Sequence, residues 1–133
     1  MTPSGEIYVN GSPYRNDYST ADFFSKAFFI HEMTHVWQYQ NNVLFVKTSA
    51  IWGQICHLGD YNEMYKYTLE DGKSLIDYGI EQQAAMVEDY YLVVKRGFNQ
   101  FREGRIQNRG TFAEKRELLK KVMADFIADP LNP

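Results

Sequence analysis

The chain has 133 residues, of which 44% are hydrophobic and 16% aromatic, and this composition excludes an intrinsically disordered protein. Residues 1–94 carry 5 basic and 12 acidic side chains, whereas residues 95–133 carry 9 basic and 5 acidic ones, so the two parts have opposite charge. The apolar runs are too short to cross a bilayer, and the N-terminus lacks the features of a signal peptide. We expect a single domain over residues 1–133, without a disulfide because Cys56 is the only cysteine.

The first predicted elements are a short strand and a long helix. Residues 6–10 place an apolar run between polar ends and lead into Asn10-Gly11-Ser12-Pro13, which predicts a strand and a turn, or the first arm of a β-hairpin continuing near Tyr14. No Pro or Gly interrupts residues 20–42, and Ser19 and Asp22 have capping-box spacing. These features predict a helix, one face of which carries Phe24, Phe28, His31, His35 and Gln38.

The remaining elements are predicted to be mostly helical. Residues 43–48 favour a short extended piece, residues 50–58 a short helix, and residues 65–69 a second strand before a turn at Asp71-Gly72. Apolar periodicity predicts a helix over residues 74–96, with Gly97 as its stop and a kink at Gly79. A capping box at Thr111 opens a last helix that reaches about Ala128. The basic side chains of this tail are interleaved with acids, which favours a solvated face over a nucleic-acid surface.

The strongest motif is His31-Glu32-Met33-Thr34-His35, an HExxH sequence inside the first long helix. Side chains four residues apart lie one turn apart on a helix, so both imidazoles can bind one Zn²⁺. Glu32 is then expected to act as the catalytic base toward a metal-bound water and to deliver the proton to the leaving amine. The apolar neighbours of the motif would bury this helix, and a buried cluster of two histidines and a glutamate favours an ion.

A catalytic zinc site requires a third protein ligand. The metzincin pattern is excluded, because Gln38 and Asn41 occupy the places of its glycine and third histidine. Glu81 fits best, since Ala84 and Ala85 behind it would let its helix approach the HExxH helix closely. Glu88, seven residues further on the same face, is then a plausible hydrogen-bond acceptor for a ligand imidazole.

His57 and Cys56 carry side chains that can also bind metals or act as nucleophiles. His57 remains the alternative third ligand, although its apolar surroundings favour a structural histidine. Cys56 has no base at a recognisable spacing, which argues against a nucleophilic cysteine. One of the many tyrosines is a candidate for stabilising an oxyanion, but the sequence does not say which.

Two blocks of the chain, FFIHEMTHVWQYQ and YGIEQQAAMVEDYY, resemble the small bacterial zincin metallopeptidase domains of polymorphic toxins, in particular those attached to type VI secretion spike and Rhs proteins. The resemblance covers about residues 5–96. It implies that His31, His35 and Glu81 bind one Zn²⁺ and that Glu32 is the catalytic base. It further implies an α+β zincin-like fold, mostly helical, with a short strand or β-hairpin beside the HExxH helix.

The resemblance also implies a biological setting. The chain would be an antibacterial or anti-host effector domain, made in the bacterial cytoplasm and secreted by a specialised system into a target cell. Its expected partners are a protein or peptide substrate, a cognate immunity protein and a parent spike or Rhs protein. Three alternatives remain open: a zinc-dependent amidase acting on cell-wall peptides, a zinc-binding module without turnover, and a structural adaptor whose HExxH sequence is accidental.

Overall fold

The structure is a computed structural model that describes residues 5–9, 11, 14–43 and 61–132. Over these residues the fold is helical, and its principal helix, α1 (Phe23–Gln40), packs against the second long helix, α3 (Ile80–Tyr90). No helix in the described part of the chain is long and apolar enough to span a membrane. The α-helices are α1 (Phe23–Gln40), α2 (Tyr61–Met64), α3 (Ile80–Tyr90), α4 (Phe112–Val122) and α5 (Ala124–Ala128). Two 3₁₀ turns (Tyr18–Thr20 and Leu75–Asp77) and a π-helical turn (Tyr91–Lys95) are the other elements of the described residues.

The prediction of an α+β fold with a strand or hairpin beside the HExxH helix was wrong. Residues 5–9 are irregular backbone, and no strand or sheet forms anywhere in the described ranges. Just before this segment, Gly5 has a φ of +74°, a left-handed conformation that glycine adopts readily. The apolar run of this segment lines a cavity instead of a sheet: Ile7, Tyr8 and Val9 face it together with Phe29 of α1.

The second predicted strand, residues 65–69, is replaced by a single bridge. Tyr67 pairs with Ile106 in parallel, through bonds from Tyr67 N to Arg105 O and from Gln107 N to Tyr67 O, each 2.9 Å long. Two residues later the side chain of Asn108 occupies both backbone groups of Leu69, donating to its carbonyl at 2.9 Å and accepting from its N–H at 2.7 Å. A side-chain amide thus stands where a neighbouring strand would continue the ladder.

Helix α1 agrees closely with the predicted helix over residues 20–42. Asp22 is its N-cap, and its carboxylate accepts hydrogen bonds from the backbone N–H groups of Phe24 and Ser25, each at 3.0 Å. The helix ends at Gln40. Beyond it, Asn42 adopts a φ of +54°, a left-handed conformation that asparagine tolerates better than most residues.

The helix predicted over residues 74–96 is interrupted in the structure. A 3₁₀ turn precedes an extended Tyr78 and Gly79, and α3 begins at Ile80. The side chain of Gln82 accepts a hydrogen bond from the N–H of Gly79 at 3.0 Å, and the side chain of Gln83 donates to the carbonyl of Tyr78 at 2.8 Å. The kink expected at Gly79 is therefore a full break, stabilised by two glutamine side chains.

The last predicted helix is confirmed, with a break of its own. Thr111 and Glu114 form the predicted capping box, and α4 and α5 meet at Met123. The C-terminal segment contacts α1 through Trp37. The indole ring packs edge-on against Phe126 and donates a 2.7 Å hydrogen bond to the carbonyl of Pro130.

The core lies between α3, α4 and the segment that contains the Tyr67 bridge. Its fully buried side chains include Tyr67, Leu75, Met86, Leu119 and Met123. The predictions for residues 43–48 and 50–58 fall outside the described residues, apart from Val43.

Candidate metal site

The two histidines of the HExxH motif lie on the face of α1 that meets α3. His31 and His35 are 7% and 8% exposed, and their ring centroids are 5.0 Å apart. The two helices pack against each other, and Ala27 on α1 and Ala84 and Ala85 on α3 are fully buried. This close contact is what the sequence predicted from the alanines.

Glu81, in the first turn of α3, faces both imidazoles. Its Oε2 lies 3.5 Å from His31 Nε2 and 3.3 Å from His35 Nε2, and the three ligand atoms fall within 4.8 Å of one another. Two ligands at about 2.05 Å from a tetrahedral Zn²⁺ are about 3.3 Å apart. The spacing and the donor set of two nitrogens and one carboxylate oxygen therefore fit a zinc ion.

The electrostatics of this cluster favour a cation. Burial lowers the pKa of His31, but its contacts with Glu81 and Glu88 outweigh burial and raise the pKa to about 9. Burial raises the pKa of Glu81, and its contacts with His31 and His35 reverse this and lower it to about 2. Glu81 is thus an anion at neutral pH, available to a proton on His31 or to a metal ion.

Glu88 lies against the other nitrogen of His31, as the sequence suggested. Glu88 Oε2 is 3.3 Å from His31 Nδ1, a close ionic contact rather than a well-formed hydrogen bond. The carboxylate also binds Arg102 through Oε1 and Arg105 through Oε2, the latter at 2.6 Å. Burial raises the pKa of Glu88, and the contacts with His31 and the two arginines lower it to about 2, so the carboxylate is ionised.

Gln38 contacts Nδ1 of His35, just as Glu88 contacts Nδ1 of His31. The sequence did not predict this contact. Gln38 Oε1 lies 2.8 Å from His35 Nδ1, while its Nε2 donates to the carbonyl of Ile80 and to Gln83 Oε1, each at 2.9 Å. The side chain is completely buried. The available signal was its position three residues after His35, one turn along the same face.

Tyr65 lies close to the site. Its ring centroid is 5.6 Å from that of His31, and burial followed by the negative charges of Glu81 and Glu32 raises the pKa of its hydroxyl. Within the described residues this hydroxyl makes no hydrogen bond. Tyr65 also lines an open cavity of about 650 Å³, together with Lys66, Arg102 and Arg105.

The other residues considered from sequence divide into two groups. Glu32 is buried at 7% exposure on α1, between the two histidines in sequence. His57, the alternative third ligand, and Cys56 lie outside the described residues.

Comparison with known proteins relates this chain to a secretion apparatus. It is 47% identical over 96 residues to a type VI secretion system spike protein, VgrG2b of Pseudomonas aeruginosa. The match covers 69% of this chain but only 9% of the spike protein, so the chain spans a small part of that relative's length. No protein-family model matches the chain, and no solved structure shows significant similarity to it.

Proposed function

We propose that the chain is a zinc metallopeptidase that hydrolyses peptide bonds. The observation that carries the proposal is that Glu81 of α3 meets His31 and His35 of α1 at distances that suit a tetrahedral ion. The HExxH glutamate, Glu32, is also buried on α1. His31, His35 and Glu81 would hold the ion. Bound zinc supplies a Lewis acid that polarises a carbonyl group and acidifies a water molecule.

The protein's own groups supply the proton transfers and the orientation. Glu32 would accept the proton of the attacking water and donate it to the leaving amine. Gln38 and Glu88 would orient the two imidazoles through their Nδ1 atoms, so that both Nε2 atoms face Glu81. Tyr65, with its unused hydroxyl near two carboxylates, would donate a hydrogen bond to the oxyanion that forms from the substrate carbonyl.

The similarity to a spike protein supports a place for this activity in type VI secretion. We propose that the chain is an effector unit carried by a spike or a related parent protein into a target cell. A producing cell would then need an immunity protein against it. Cell-wall peptides are a second class of substrate for the same groups, because amide hydrolysis makes the same demands on the site.

The test compares zinc-loaded wild type with Glu32→Gln on a folded protein, an unstructured peptide and peptidoglycan. The variant should keep its zinc and its melting temperature while turnover falls by about 10² to 10⁴-fold, the usual contribution of a general base. Glu63→Gln changes an exposed glutamate and serves as the matched control.

The outcomes separate the functions. Cleavage of peptidoglycan alone would identify an amidase. A zinc-loaded wild type that cleaves none of the three substrates would indicate a binding module, and full activity in zinc-loaded Glu32→Gln would refute the role of Glu32.

A further inference from the structure

Two arginines from the loop after the π-helical turn reach the carboxylate that contacts His31. Arg102 binds Glu88 Oε1, and Arg105 binds Glu88 Oε2 at 2.6 Å. Both oxygens of Glu88 are thereby held by guanidinium groups, although its side chain is only 2% exposed. The loop of residues 97–110, which the sequence left without a role, is thus tied directly to the candidate metal site.

Arg105 is itself held from several sides. Its backbone carbonyl accepts the 2.9 Å hydrogen bond from Tyr67 N that forms the isolated bridge. Its guanidinium lies 3.8 Å from Asp89 Oδ1 and 5.8 Å from the ring centroid of Tyr65. Asp89 is fully buried and accepts a 2.6 Å hydrogen bond from the hydroxyl of Tyr67. The orientation of Arg105 is therefore fixed by backbone pairing and by a buried anion.

The arrangement determines what His31 meets at its Nδ1 atom. This nitrogen is buried, and among the described residues the nearby acceptor is Glu88 Oε2, at 3.3 Å. A glutamate side chain has three rotatable bonds and can adopt several conformations. Guanidinium groups bound to both carboxylate oxygens restrict it to one of them. An ionised acceptor at Nδ1 favours an imidazole proton on that nitrogen, so that Nε2, which faces Glu81, is the nitrogen that binds an ion once its own proton is lost.

We infer that Arg105, together with Arg102, is a positioning residue of the metal site, because the two guanidiniums hold the Glu88 carboxylate against His31 Nδ1 and so direct His31 Nε2 toward the ion. This inference rests on the proposed metal site. It assigns the loop of residues 97–110 to the working part of the protein, and it makes zinc affinity depend on residues that never touch the metal.

The experiment measures zinc affinity by chelator competition in a double-mutant cycle of Arg105→Gln and Glu88→Gln. Arg105→Gln should weaken zinc binding by about 10 to 100-fold, the range typical of groups that orient a metal-bound histidine. The same change made in Glu88→Gln should have little further effect, because the arginine acts through that carboxylate. Arg105→Lys keeps the charge but replaces the planar guanidinium with an ammonium group, and it should recover only part of the affinity.

Controls separate positioning from folding. Arg102 is 41% exposed, so Arg102→Gln should leave the fold intact and still weaken zinc binding. Arg109→Gln changes an exposed arginine of the same loop and should have no effect. Circular dichroism checks each variant, and the His31 ring nitrogens are followed by ¹⁵N NMR in the zinc-loaded protein.

The possible results decide between the two proposals. Unchanged affinity and unchanged His31 nitrogen shifts in folded Arg105→Gln and Arg102→Gln would overturn the inference. An equal loss of affinity with and without Glu88 would also overturn it, since Arg105 would then act independently of that carboxylate. A wild type that binds zinc but hydrolyses nothing would refute only the proposed peptidase function, whereas one that binds no zinc would refute both.

Discussion

Replacing Gln38 with methionine tests whether the metal site and the contact between α1 and α3 depend on the same side chain. Methionine has a similar length and volume but cannot form the three hydrogen bonds that Gln38 makes with His35, Ile80 and Gln83. The site is completely buried, so water cannot replace these bonds without rearrangement. The substitution therefore removes polar contacts while it keeps the packing.

The magnitude follows from the bonds lost. At about 1 kcal/mol for each hydrogen bond, Gln38→Met should lower the free energy of unfolding by about 3 kcal/mol. A chain of 133 residues has an unfolding entropy of about 0.28 kcal/mol/K at about 2.1 cal/mol/K per residue, so the melting temperature should fall by about 10 °C. Zinc affinity should fall by about 10 to 100-fold, because the ring of His35 loses its orienting partner.

Thermal and urea unfolding of the metal-free protein, followed by chelator competition for zinc, measure the two effects. Gln40→Met is the matched control, since Gln40 is exposed on the last turn of the same helix and its replacement should cost less than about 0.5 kcal/mol. A Gln38→Met protein with the stability and zinc affinity of the wild type would refute the reasoning. A loss of stability with unchanged zinc affinity would show that Gln38 stabilises the fold but does not contribute to metal binding.

Three further predictions concern the ligand set, the oxyanion and a buried acid. Glu81→Ala should lose most bound zinc by mass spectrometry while His57→Ala retains it, and the reverse pattern would move the site to three histidines. Tyr65→Phe should keep zinc and stability but reduce kcat about 10²-fold at unchanged KM, as expected for the loss of one oxyanion donor. Burial raises the pKa of Asp89 from 3.8 to about 6, so the folded state binds its proton more tightly than the unfolded state and stability contributed by this group is lost as pH rises through that range. As pH rises from 3.5 to 7, the free energy of unfolding of Asp89→Asn should therefore rise by up to about 3 kcal/mol relative to that of the wild type, measured by urea unfolding. A difference between the two proteins that does not change with pH would contradict this pKa.

The sequence predicted those features that depend on helical periodicity. The spacing of His31 and His35 required only that α1 be a helix, and the caps at Asp22 and Thr111 act within a few residues. Glu81 could be proposed because two alanines signalled a close approach between helices. Local rules suffice for the histidine spacing and the two caps, since each is decided by residues less than about two turns apart. The contact of Glu81 with the histidines joins two different helices, and for it the alanines were the available signal.

Contacts between distant segments could not be read in the same way. Residues 65–69 have a strand-like composition, but they form no ladder beyond the bridge at Tyr67. The side-chain amide of Asn108 hydrogen-bonds to both backbone groups of Leu69 in place of a neighbouring strand. Arg102 and Arg105 lie 14 and 17 residues beyond Glu88 with no helical relation to it. No periodicity links such pairs, so sequence reasoning stopped at the helices themselves.

The break before α3 shows how a departure from the predicted helix serves the site. Because the helix begins at Ile80, Glu81 lies in its first turn, where the positive end of the helix dipole favours a carboxylate. An uninterrupted helix over residues 74–96 would place Glu81 in the middle of a helix and would deny Gln83 the carbonyl of Tyr78. The side-chain oxygen of Gln83, Oε1, accepts a hydrogen bond from Gln38, the residue that contacts His35. The start of α3 and the orientation of a metal-site histidine are therefore joined through two buried glutamines, and a change at either one should disturb both.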